Sequence, residues 1–123
     1  MVIRENIISY CETTTEEYIE IGSVKLSLNS GLYFEINHKS DISEYNKLGK
    51  RELLLLTFLL QSPREVIGKE LIVKTVWPNR IVTDSSLNVT VHNLRKFIKS
   101  VSSNIIIKNF SGVGYALYKN AAS

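Results

Sequence analysis

Apolar and polar residues alternate through the first third of the chain, and the period then lengthens to that of a helix. Val24, Leu26 and Leu28 alternate with Lys25 and Ser27, the two-residue repeat of a half-buried strand. Asn29-Ser30-Gly31 supplies turn chemistry, and Leu32, Phe34 and Ile36 then continue the alternation with Tyr33 and Glu35 on the other face. Ile3 to Tyr10 and Glu17 to Ile21 are further strand candidates, so residues 1–47 predict a small antiparallel sheet.

Helices follow. Gly49 stands at an N-cap position, and Glu52 favours the positive end of the helix it begins. Leu53 to Leu60 is apolar on nearly every side, which predicts the most buried helix, ended by Gln61-Ser62-Pro63. A second helix is expected from about Lys69 to Val76, with Leu71, Ile72 and Val76 inward; Pro78 disfavours helical geometry in Trp77 and stops it. Trp77 itself is expected to anchor the core. In the third helix Leu87, Val91, Leu94 and Ile98 form one apolar stripe, with Thr83 or Asp84 as its cap. Ile105 to Phe110 and Tyr115 to Tyr118 are β-rich runs around Gly112-Val113-Gly114 and read as a hairpin. A phosphate-binding Gly-x-Gly loop would need a helix after it, and strand residues follow instead. The order is sheet, three helices over residues 48–104 and a hairpin over 105–118, an α+β chain expected to be one domain across 1–123.

Charge divides the sequence. Residues 1–62 carry six Lys/Arg against nine Asp/Glu, and residues 63–123 carry nine against three. After Asp84 no acidic side chain remains, while Arg95, Lys96, Lys99, Lys108 and Lys119 do. A polyanion would therefore meet its complement on the C-terminal half. At 123 residues and 44% hydrophobic, the chain is long enough to bury a core without metal or disulfide help. Cys11 has no internal disulfide partner, no apolar run reaches the roughly 20 residues of a membrane span, and the N-terminus lacks a signal-peptide pattern. A cytoplasmic location is expected. Asn120 to Ser123 reads as a tail.

The face of the third helix opposite its stripe carries Ser85, Val89, His92 and Lys96, flanked by Ser86, Asn93 and Lys99. Hydroxyls, an amide and cations beside an exposed valine suit base edges, thymine methyls and phosphates, so this is a candidate DNA recognition helix. Asp84, Ser85 and His92 also contain the side-chain types of a hydrolytic triad. On a helix Ser85 and His92 lie about 10 Å apart along the axis, too far for a nucleophile–base hydrogen bond. No catalytic residue, metal ligand set or cofactor is expected.

Three helices closed by a hairpin describe a winged helix, and the residues from Leu48 to Leu117 resemble the DNA-binding domain of OmpR/PhoB-type transcription regulators. The family's Thr-x-x-Glu-hydrophobic-Leu-Leu helix start is matched by Gly49-Lys50-Arg51-Glu52-Leu53-Leu54-Leu55. Its Val-x-x-Arg-Glu-x-Leu segment ending in Trp resembles Val66 to Leu71 and Trp77, and its recognition-helix pattern is matched from Val82 to Lys96. The wing motif Gly-x-Gly-Tyr stands as Gly112-Val113-Gly114-Tyr115. The wording from Trp77 to Leu87 looks most like the ToxR/CadC-like branch, whose members join this domain to a membrane helix; the resemblance implies either the cytoplasmic part of such a protein, its tether in a segment absent from the chain, or a free-standing relative.

The resemblance implies a winged helix-turn-helix with residues 85–99 in the major groove of double-stranded DNA and the wing, Ser111 to Val113, on the minor groove or backbone. The DNA-contacting set is then Ser85, Ser86, Val89, Thr90, His92, Asn93, Arg95, Lys96, Lys99, Ser111 and Val113. Arg95 and Lys96 would meet phosphates, and Val89 a thymine methyl. The loop with Pro78, Asn79 and Arg80 would be the contact for RNA polymerase or another partner. His92 and Asn93 stand where arginines are common, and Ser111 where Arg or Lys is usual, which favours an A·T-rich site, weak binding by a monomer, and self-association on tandem half-sites. The alternative is a winged helix whose basic face docks an acidic protein partner.

Overall fold

The computed structural model describes residues 17–36, 46–101 and 103–119; the expected strand at Ile3 to Tyr10, Cys11 and the terminal tail lie outside them. Strands β1 (Tyr18–Ile21), β2 (Val24–Ser27), β3 (Leu32–Glu35) and β4 (Asn46–Lys47) form an antiparallel sheet in chain order. Helix α1 (Lys50–Leu60), the short strand β5 (Ile67–Gly68), helix α2 (Lys69–Val76) and helix α3 (Asp84–Ser100) follow, then β6 (Ile105–Phe110) and β7 (Gly114–Lys119). The second sheet has the order β5-β7-β6, with β6 at its edge among the described residues.

Helix α1 is the hub that its composition predicts. Leu55, Leu56 and Leu59 are wholly buried, and the helix packs against α2, α3 and β7 at once. Each such side chain removed from water contributes about 1.5–3 kcal/mol. Gly49 is the N-cap, and the helix stops at Gln61, whose N–H turns back to the Leu59 and Phe58 carbonyls. The chain then swings round at Arg64 (φ 72°), whose N–H donates to the Leu117 carbonyl in β7 at 2.8 Å.

Strand β3 corrects the sequence expectation. Cross-strand partners lie on one face of a sheet, and the register sets Leu26 opposite Tyr33 and Val24 opposite Glu35. Leu26 is wholly buried, so the inward residue of β3 is Tyr33, while Leu32 and Ile36 are 38% and 39% exposed. Alternation fixes which residues share a face within one strand; it does not carry the phase across a turn. Tyr33 meets Phe97 of α3 edge-on, with centroids 4.9 Å apart and planes at 68°, and this seats the first sheet on the helices. Burial pushes the Tyr33 phenol above its ordinary value of 10.0, so its contribution to stability is present below that pH and lost as pH rises past it.

The two-residue strands β4 and β5 have no alternation to betray them. β5 exists because β7 passes very close to it: a Cβ at Gly114 would lie 1.9 Å from the Ile67 carbonyl oxygen, so no larger residue fits there. The hairpin turn before it needs the left-handed region, supplied by Gly112 at φ 78°.

One long-range contact closes the helical layer. Helix α2 ends at Val76 with unsatisfied carbonyls, and Arg51 of α1 donates from Nη1 to the Val76 oxygen at 2.7 Å. The same guanidinium stands 5.6 Å from the Trp77 ring centroid, and Trp77 is buried as expected.

Leu26→Ala is expected to cost about 2–5 kcal/mol, whereas Leu32→Ser should move stability by no more than about 0.5 kcal/mol. Urea denaturation of the two variants checks the register, and the reverse ranking would put the other face of β3 inward. In the same titration Arg51→Ala should lose about 1–3 kcal/mol, with Arg51→Lys recovering only part of it because an ammonium lacks the planar fork.

Candidate nucleic-acid interface

Thr83 is the residue that caps α3. Its side-chain oxygen accepts from the Ser86 N–H at 3.4 Å, and its carbonyl accepts from the same N–H at 3.1 Å. Asp84 is thereby left in the first turn, where its charge suits the helix dipole. The predicted stripe of Leu87, Val91, Leu94 and Ile98 is buried, and Thr90 and Phe97 join it. Thr90 is therefore a correction to the expected contact set. It is 4% exposed, and its hydroxyl donates to the Ser86 carbonyl at 2.9 Å, so its polar group is spent inside the helix. Its spacing from Leu87 and Leu94, three and four residues, already places it on the inner face.

The outward face holds Ser85, Val89, His92, Lys96 and Lys99, all exposed, with Ser86 half-buried at its margin. Val89 is 57% exposed, an apolar side chain facing solvent between polar neighbours. No hydrogen bond ties down the Lys96 or Lys99 amine among the described residues. Both margins of this face are fastened to other elements. Towards the wing, Arg95 donates from Nη2 to the Ile107 carbonyl at 2.8 Å, and the Tyr115 hydroxyl donates to Asn88 Oδ1 at 3.4 Å. Towards α1, Asn93 Nδ2 donates to Glu52 Oε2 at 3.1 Å. Arg95, expected to meet phosphate, is thus partly committed to the wing strand, although it stays exposed and keeps donors to spare. Asn88, Glu52 and Tyr115 escaped sequence reasoning because their roles arise only where separate elements meet.

The wing tip, Ser111, Gly112 and Val113, is exposed, with Val113 at 57%, and the Lys69 N–H donates to the Val113 carbonyl at 3.2 Å. That bond ties the tip of the hairpin to the start of α2. After the C-terminal end of α2, Pro78, Asn79 and Arg80 are exposed beside a fully exposed Ile81, and Asn79 adopts φ 63°. Together with Lys74 and Trp77 they line a shallow cleft. Among the described residues no helix is long and apolar enough to cross a membrane.

This arrangement is shared with known proteins. Residues 43–117 match the family described as transcriptional regulatory protein, C terminal. Protein PsaE of Yersinia pseudotuberculosis is 31% identical over 74 residues, covering 60% of this chain and 35% of PsaE. The transcriptional regulatory protein YxdJ of Bacillus subtilis is 28% identical over 116 residues, covering 94% of this chain and 48% of YxdJ. The chain thus spans between about a third and a half of the length of these curated relatives. Among solved structures, the DNA-binding domain of E. coli CadC has a TM-score of 0.64 at 23% identity, over 80% of this chain and 88% of that one. The C-terminal domain of the nisin resistance regulator NsrR gives 0.59 at 27% identity, over 81% and 96%. The Klebsiella pneumoniae RstA DNA-binding domain, solved in complex with the RstA box, gives 0.57 at 17% identity, over 82% and 96%. The N-terminal sheet, three helices and hairpin are the winged-helix fold of these domains. The chain belongs to the OmpR/PhoB-type family of transcriptional regulatory C-terminal domains, a family of DNA-binding modules and not of enzymes.

Proposed function

We propose that the chain is a sequence-specific reader of double-stranded DNA in a transcription regulator, with α3 in the major groove and the wing tip at Ser111 to Val113 on the minor groove or backbone. The observation that carries this is the outward face of α3. It is exposed, it lacks acid beyond Asp84, and it combines free Lys96 and Lys99 amines with Ser85, Val89 and His92. Lysines there would neutralise phosphates and set affinity, while Val89, His92 and Asn93 would meet base edges and set preference. Asparagine suits adenine, and an exposed valine suits the thymine methyl, so an A·T-leaning site is favoured.

The wing carries no cation at its tip, since Ser111, Gly112 and Val113 are all neutral. One copy would therefore bind weakly, and tandem half-sites occupied by two linked copies would restore strength through effective concentration. The exposed loop of Pro78, Asn79, Arg80 and Ile81, between α2 and α3, suits a protein partner such as RNA polymerase. The regulator would act in the cytoplasm, where its DNA is. The wording of Trp77 to Leu87 favours the ToxR/CadC-like arrangement, in which other segments supply a membrane tether.

Fluorescence anisotropy on A·T-rich and random duplexes across a salt series tests the reading. Affinity should fall linearly on a log–log plot and differ between the duplexes, and Lys96→Ala should lower the slope by about one on both. Thr90→Val, changed inside the core, should leave affinity within about twofold. No binding at low salt would turn the basic face towards an acidic protein instead. A duplex carrying two half-sites should also be bound far more tightly than one carrying a single half-site, as linked binding events multiply.

A further inference from the structure

Asn93 is not free to present its amide either way round. Its Nδ2 donates to Glu52 Oε2 at 3.1 Å, and a carboxylate only accepts, so the amide nitrogen must face α1 and Oδ1 must face away from that carboxylate. The carboxylate is itself held in a narrow space. A Cβ at Gly49 would stand 2.3 Å from Glu52 Oε1 and 3.4 Å from Cδ, so Glu52 lies folded back over the N-cap of α1 in room that only glycine leaves. Gly49 has φ −60° and ψ 153°, an ordinary extended backbone, so its value here is space. It also stands where the family's pattern carries Thr.

Building on the DNA-reading role proposed for α3, we infer that Glu52 is a positioning residue that sets base preference through Asn93, and that Gly49 makes this possible. The bond uses one of the two Nδ2 hydrogens. The other hydrogen and Oδ1 remain, and together they form the donor–acceptor pair that adenine N7 and N6 require. With its orientation fixed before DNA arrives, the amide does not have to be ordered on binding. The cost is a negative charge kept close to a surface that meets phosphates, so Glu52 trades general affinity for discrimination.

The test uses the 123-residue chain, a duplex library with a randomised centre of about 20 base pairs, and NMR of the Asn93 side-chain amide in the free protein. Asn93→Ala should flatten preference at one base position that the parent chain reads with roughly 5- to 150-fold discrimination. Glu52→Ala and Gly49→Ala should each flatten that same position. In both variants the two Nδ2 proton resonances should move, with thermal stability nearly kept. Glu52→Ala should also strengthen binding to the whole library, since it removes a charge. Gly49→Ala should not, because it only displaces the flexible carboxylate, and this separates orientation from electrostatics. Amide resonances unmoved in both variants would overturn the inference, as would preference unchanged at the position that Asn93→Ala flattens. Losses spread evenly over all positions together with a drop in stability would mark Glu52 as structural and overturn it too. A parent chain that selects no sequence at all would instead overturn the DNA-reading proposal beneath it.

Discussion

The all-round burial of α1 is the constraint on which the other elements depend. A helix with Leu53, Leu55, Leu56, Leu59 and Leu60 out of water needs cover from several directions, and α2, α3 and β7 provide it. Its charged residues, Lys50, Arg51 and Glu52, fall in its first turn, and two of them lie at the seams between those neighbours. Arg51 reaches the end of α2 and Trp77, and Glu52 reaches the outward margin of α3. The hydrophobic demand of one helix therefore determines which polar side chains are available to join the rest. Non-directional burial brings the elements together, and a small number of directional contacts fixes their rotation.

Helix α3 divides its circumference into three functions. The inner stripe supplies packing, down to a threonine that satisfies its own hydroxyl within the helix. The two margins supply attachment, to α1 through Asn93 and to the wing through Arg95 and Asn88. What is left between the margins is a strip of small, apolar and cationic side chains facing solvent. Helix and wing are fixed to one another, so their relative angle is a property of the free protein. A groove would meet a preformed surface.

Much of this was legible in the residues. The α1 leucines, the proline after α2, the apolar stripe of α3 and the strand residues around Gly112 and Gly114 are local signals, and each marks an element that the fold contains. Thr90 was legible as well, since its spacing from Leu87 and Leu94 decides its face. The inward side of β3 was not, because a turn resets the phase of an alternating pattern. Nor were β4 and β5, each two residues long and created by the neighbour it pairs with. The side-chain bonds of the candidate interface join residues 41, 12 and 27 positions apart, and no periodicity reports on such pairs. Family likeness pointed to the helix and the wing; it could not foresee Glu52 beside Asn93, where this chain departs from the common arginine.

The second sheet leaves β6 open along one side among the described residues, and that strand begins with Ile105, Ile106 and Ile107. A β-branched run on an edge strand is a template for another chain's strand and favours stacking into aggregates. Part of this edge is already taken, since the Ile105 N–H donates to the Ser103 hydroxyl and the Ile107 carbonyl accepts from Arg95. The next residues of the strand are Lys108 and Asn109, which end the isoleucine run, and Lys108 holds its amine 5.1 Å from the Tyr118 ring centroid of β7. A lysine of the basic half of the chain thus also interrupts the most apolar run of the edge strand, the kind of charge that makes such a segment a poorer template for aggregation.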